Sequence, residues 1–141
     1  STEVTVRWSI SQTISTKPIN GSRGIGMGKP NTEYIMQEAM QLGGGWGWAA
    51  QICDELEVNG FDDWFLPSRD ELNVMWGVLH RRGHGGFKDE WYWSSTPAND
   101  AGTRIWIINF TGGDQVGGHA RYGSGSDNWN EQYNLRAIRQ F

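Results

Sequence analysis

The spacing of apolar residues changes twice along the chain. Near the start, Val4, Val6, Trp8 and Ile10 alternate with polar residues, and a period of two reads as a half-buried strand. A loop containing Gly, Ser and Pro follows, to about Lys29. The period then lengthens. After Pro30 and Asn31, the residues Ile35, Met36, Ala39, Met40 and Leu42 fall on one helical face, and Gly43 to Gly45 close that helix. Ala49, Ile52, Cys53 and Leu56 stand at the i, i+3, i+4, i+7 spacing of a second amphipathic helix. The third helix has the clearest start. In WFLPSRDEL (64–72), Ser68 is placed to cap and Glu71 to reach back to it, a capping box on the order of 1 kcal/mol. Leu72, Met75, Trp76 and Leu79 extend it as a core stripe.

Beyond Trp91 the pattern shortens again. Strand candidates at Tyr92 to Ser95, Ile105 to Phe110 and Leu135 to Phe141 alternate with segments dense in Gly, Asn, Asp and Ser. Between Thr111 and Asn134 neither a helical nor a strand period is sustained. A long irregular segment inside a compact domain is usually functional, because ordering it costs entropy that no core requires. There is no internal repeat and no low-complexity linker, so residues 1–141 read as one domain.

Composition narrows the function. A net charge of −4 argues against a nucleic-acid footprint. No apolar run is long enough to span a bilayer, and no secretion signal opens the sequence. The lone Cys53 excludes an internal disulfide and a Cys-rich zinc site. Twenty glycines suggest many turns, and nine tryptophans suggest large buried supports with some contact residues among them.

The chemical motifs fail one by one. In GIGMGKP (24–30), Arg23 stands where a phosphate loop needs Gly, and Pro30 follows the Lys; the glycines read as a structural loop. His80 and His84 are four apart but lack a following Glu and a third ligand, so they read as a solvated helix end beside Arg81 and Arg82. Asp62 and Asp63 suit turn and capping work, and Asp70 and Glu71 suit the first turn of a helix. No nucleophile, base and orienter come together. The expectation is a non-enzyme without metal or cofactor. What remains is a polar stretch dotted with Tyr, Trp and Arg among Gly, Ser and Asn, the residue palette of antibody paratopes. A plain solvated loop with a few aromatic anchors has the same composition.

Several segments together resemble a known bacterial and phage family: NTEYI (31–35), NGFDDWFLPSRDEL (59–72), YWSST (92–96), Asn109-Phe110 after Trp106, and LRAIRQF (135–141). The chain is similar to the C-type-lectin-like variable proteins of diversity-generating retroelements and to the C-terminal domain of collagen-like bacterial adhesins. The resemblance spans roughly residues 25–141. It implies an α+β, C-type-lectin-like fold in which helices brace small antiparallel sheets, the chain ends meet, and long irregular loops face the ligand. Residues of about 1–96 and 135–141 would be scaffold and about 97–134 variable. The function implied is receptor or ligand recognition at a bacterial cell surface or phage virion. The partner implied is a protein receptor or other surface ligand, a glycan included. Neither the ligand nor the oligomeric state is implied.

On this reading the ligand-facing set begins with Ala98, Asn99, Asp100, Thr103, Ile105 and Ile107. It continues through Asp114, Val116, His119, Arg121 and Tyr122 to Ser124, Asp127, Trp129 and Tyr133. Asn109, Phe110, Gly113 and Gln115 would be scaffold positions threaded between variable ones, among which Gly117 and Gly118 also fall. Substituted Asn codons ending in C cannot yield Trp, Gln or Glu. Trp106, Gln115, Trp129, Glu131 and Gln132 would therefore be fixed or differently encoded. Three features depart from the family pattern. Three helices are expected where the fold needs two, Ser1 to Asn20 match nothing, and Trp129-Asn130-Glu131 lacks the Glu-Pro-Asn companion of a calcium-dependent sugar site. A fixed-specificity carbohydrate-binding adhesin on the same fold is the alternative.

Overall fold

The structure is a computed structural model that describes residues 3–6, 8, 21–41, 48–99, 104–119 and 132–140, without the side chains of Trp48 and His119. Its elements are β1 (Glu3–Val6), α1 (Gly28–Gln41), α2 (Trp48–Asp54), α3 (Arg69–Val74), β2 (Trp91–Pro97), β3 (Arg104–Asn109), β4 (Gln115–His119) and β5 (Tyr133–Arg136). The α3 segment runs on through a π turn at Met75–Leu79 and a short 3₁₀ turn at His80–Arg82, and Gly83 closes it in the left-handed conformation. The five strands form one sheet in the order β1-β5-β2-β3-β4, antiparallel except where β2 meets β5.

Alternation along the central strands buries both faces of this sheet. Trp93, Ile105, Ile107 and Leu135 join Ile35 and Ala39 of α1 and Ala49, Ala50 and Cys53 of α2. Tyr92 and Ile108 point the other way, onto Leu72, Met75 and Phe110. Sequestered in the first of these clusters, the Cys53 thiol is pushed up to about 12 by burial and by the nearby Asp54. Two tryptophans stitch the first strand to the centre: Trp8 Nε1 donates to Ser94 O (3.1 Å) and Trp93 Nε1 to Val6 O (2.8 Å).

The capping box forms as expected, and Glu71 does more than cap. Its carboxylate accepts from the backbone N–H groups of Ser68 (2.9 Å), Gly28 (2.9 Å) and Gly26 (3.2 Å), so one side chain closes the starts of both α3 and α1. Ser68 Oγ donates to Gly24 O at 2.8 Å. The glycine-rich loop is thereby a latch. Beside it lies a seam of buried polar groups from the resembling motifs. Asn31 Nδ2 donates to Ser22 O and Ser95 Oγ, Thr32 Oγ1 accepts from the Leu66 N–H, and Thr96 Oγ1 accepts from the Arg69 N–H. Trp93 opposes Ile107 while Pro97 opposes Ile105, so Ser94 to Thr96 sit in an irregular stretch of β2 that turns these groups into the seam.

The terminal LRAIR also has a structural explanation. Arg136 pairs with Glu3, donates to Gly85 O (2.7 Å) and lies over the Phe87 ring. Arg139 binds both carboxylate oxygens of Asp63 and covers Phe61, and its hydrogen bond holds the Asp63 carboxyl below the usual range. Phe65 and Ile138 exchange backbone hydrogen bonds between them.

Several expectations need correction. Met40 is exposed, because the buried side of α1 runs through Asn31, Thr32, Ile35 and Ala39 rather than through Met40. Leu79 is also exposed. The final strand is Tyr133–Arg136, and from Ala137 onward only an isolated bridge at Ile138 remains. The expected irregularity from Thr111 onward is broken by β4, an edge strand recruited by backbone pairing with β3. His80 is not a solvated helix end: its side chain packs on Phe110 and Phe87, and Nε2 bonds Asp89 at 2.6 Å. Asp63 serves an ion pair rather than a cap. Ile10, Leu42 and the Trp129-Asn130-Glu131 triplet lie outside the described residues.

Candidate ligand-binding surface

The β3–β4 hairpin carries most of the described part of the expected ligand-facing region. Its turn is set by Gly113, whose φ of 86° suits glycine and whose Cα faces the Trp76 indole. Asn109 Oδ1 accepts the Thr111 N–H at 3.0 Å, and the Gly113 N–H donates to Asn109 O at 2.7 Å. Gln115 is bound at both ends of its amide: Oε1 accepts from Arg69 Nε (2.5 Å) and Nε2 donates to Asn73 Oδ1 (3.0 Å). The Arg69 guanidinium in turn lies 3.7 Å from the centre of the Trp106 ring. Helix α3 therefore holds the hairpin through Trp106 and Gln115.

Between these anchors the chain turns two side chains outward. Asp114 is exposed, and Val116 is 44% exposed on the edge strand. Ala98 and Asn99 are half-buried where β2 ends. Ala98 N–H donates to Arg104 O, and Asn99 Oδ1 accepts the Arg104 N–H. Ile105 and Ile107 do not belong to this surface. They are 0% and 2% exposed, because their positions on β3 point between the sheet and α1 with α2. Asp100, Thr103, Arg121, Tyr122, Ser124, Asp127 and Trp129 lie outside the described residues, as does the His119 side chain.

Tyr133 stands apart. Strand β5 is parallel to β2, whereas Arg104 and His119 pair at the end where β2 finishes. Tyr133 thus lies at the opposite end of the sheet, against Trp93 (ring centres 4.9 Å apart) and Trp91 (6.5 Å). There it borders a polar cleft of about 330 Å³ between the starts of β2 and β5 and the end of β3. Asp89, Glu90, Asn109 and Thr111 contribute to its walls. Sequence reasoning passed over Asp89 and Glu90; the signal available was an acidic pair directly before an aromatic strand. A second recess, of about 400 Å³, is apolar and lies under Arg136 and Arg139, beside Phe61, Trp64 and Leu79.

Among the described residues, no group of three His, Cys, Asp or Glu side chains is placed to hold a metal ion. No described helix is long and apolar enough to cross a membrane.

A five-stranded sheet covered on both faces, with a braced edge hairpin, makes this a small α+β domain. A family model described as Lcl C-terminal domain matches residues 5–139. The chain belongs to that family, whose C-type-lectin-like domains occur in variable proteins of diversity-generating retroelements and in bacterial adhesins. No curated protein matches the chain.

Proposed function

We propose that residues 1–141 act as one non-catalytic, C-type-lectin-like domain of the variable-protein kind. Its diversified surface would recognise a receptor or other surface ligand outside the cell, on a bacterial surface or a phage virion. The observation that supports this most is the alternation from Gly113 to Val116. Gly113 sits against Trp76 in the turn after α3 and Gln115 is bound to Arg69 and Asn73 of α3, while Asp114 and Val116 face solvent. A backbone fixed by every other side chain can present substitutions at the remaining ones without losing its shape. Ile105 and Ile107 leave the proposed variable set on grounds of burial.

The test is to sequence the DNA encoding residues 91–141 and its downstream flank. A near-copy differing almost only at template adenines, beside a reverse transcriptase, is the expected result. No such copy would move the assignment to a fixed-specificity carbohydrate-binding adhesin, the reading that the polar, aromatic-walled cleft favours.

A further inference from the structure

We propose that Arg69, stacked on Trp106 beside the edge strand β4, is a fixed anchor for a carboxylate side chain carried by an extended segment of a protein partner. Such an anchor rests on the reading of the hairpin as a ligand-binding surface, but not on its diversification.

Three of the described arginines are half-buried: Arg69, Arg136 and Arg139. Arg136 pairs with Glu3, and Arg139 pairs with Asp63. Arg69 makes no ion pair among the described residues. Its Nε donates to Gln115 Oε1, a neutral acceptor, and its guanidinium lies 3.7 Å from the centre of the Trp106 ring. Both Nη groups are left without an acceptor among the described residues. Nearby Arg23 spends its own fork on Asp70. Partial burial first, and then the charge of Arg23, hold the Arg69 guanidinium below its ordinary value. A cation drawn part-way out of water without a counter-charge is costly, and an incoming carboxylate removes that cost. The two Nη groups match both oxygens of a carboxylate. The Trp106 indole N–H, also without an acceptor among the described residues, adds a third donor beneath them.

The neighbouring strand edge selects the molecule that carries the carboxylate. Strand β4 ends the sheet on one side. The Ala98 N–H donates to Arg104 O, and the Asn109 N–H to Asp114 O, so Ile105, Ile107 and Asn109 are the β3 residues whose backbone faces β4. The backbone groups of Gln115 and Gly117 therefore point away from β3. Arg104 Nη1 holds Gly117 O at 3.0 Å, which leaves the Gly117 N–H and both groups of Gln115 to pair with an added strand. A residue opposite Gln115 or Gly117 shares their side of the sheet, the side on which Gln115 meets Arg69. A sulfated polysaccharide has no backbone to pair there and needs a row of cations. Arg23 and Arg104 are already bonded, and the net charge of −4 opposes a polyanion.

The experiment titrates the 141-residue protein with the end-blocked pentapeptides TVEVT and TVQVT and with a heparin tetrasaccharide, following the side-chain N–H signals of Arg69 and Trp106 by NMR. Saturable shifts of both signals with TVEVT are expected, with TVQVT binding about tenfold more weakly. In Arg69→Gln the two peptides should bind alike. Arg69→Lys, which keeps the charge and loses the fork, should retain only part of the difference. Met40→Gln, remote and exposed, should match the parent, and circular dichroism checks the fold of all three. If Arg69→Gln does not fold, Arg69→Lys and the parent's choice between the two peptides decide. Equal binding of the peptides, unmoved Arg69 and Trp106 signals, tighter binding of the tetrasaccharide, or a preference for TVEVT intact in folded Arg69→Gln would overturn the anchor. The diversified-surface reading is judged separately by the DNA, so the two can fail independently.

Discussion

At Gly28 a methyl group has nowhere to go, whereas at Gly112, in the hairpin turn, no atom stands within 4 Å of where it would sit. A Cβ on Gly28 would come within 2.3 Å of Glu71 Oε1, 2.8 Å of Phe65 Cε2 and 2.9 Å of Leu66 O. The latch and the hairpin are both glycine-rich, yet they use glycine for opposite ends. In the latch a bare Cα lets α1 approach the carboxylate that caps α3. In the hairpin most of the fixing is done by a few side chains, and the intervening positions are left open. One region is determined atom by atom, and the other by a frame with vacancies.

That contrast can be broken by substitution, most severely where the frame and the core coincide. Ile107→Ala, on the hairpin but beneath it, should cost about 3 kcal/mol in urea unfolding; a loss under 1 kcal/mol would return Ile107 to the surface set. Gly28→Ala should cost about 2 kcal/mol by overpacking, measured the same way. Glu71→Gln keeps the shape but turns one carboxylate oxygen into a donor facing backbone N–H groups, so a loss of about 1–2 kcal/mol is expected. At the mild end, Val116→Asp and Gly112→Ala should each shift stability by no more than about 0.5 kcal/mol. Thermal melts that fell as steeply for Val116→Asp as for Gly28→Ala would erase the distinction between the two regions.

The sequence announced the helices because their signals are local. Ser68 and Glu71 are three residues apart, and the stripe through Cys53 repeats on a single face. Strand β4 was invisible for the converse reason: Gly117 and Gly118 carry no side-chain pattern, and only the β3 backbone beside them makes Gln115–His119 a strand. Ile105 and Ile107 enter the ligand-facing set only through the family resemblance, against the apolar run Ile105 to Ile108 in which they stand. Their own period of two, set by β3 lying between β2 and β4, sends them inward. The roles of Glu71 toward Gly26 and Gly28, or of Arg139 toward Asp63, join residues more than forty positions apart. The motifs marked those positions without naming their partners. The same distance hid the cleft, whose walls come from four strands, β1, β2, β3 and β5.

The meeting of β1 and β5 gives the domain a mechanical direction. Glu3 opposes Arg136 and Val6 opposes Tyr133, so the chain enters and leaves on the same side of the pair. Tension drawn between those two points would unzip the strands one rung at a time instead of shearing them together. Before that zipper feels any load from its C-terminal side, the Phe65–Ile138 bridge and the Arg139–Asp63 pair must give way. Those few bonds act as a strain relief, and ionic strength should set how firmly the outer one holds.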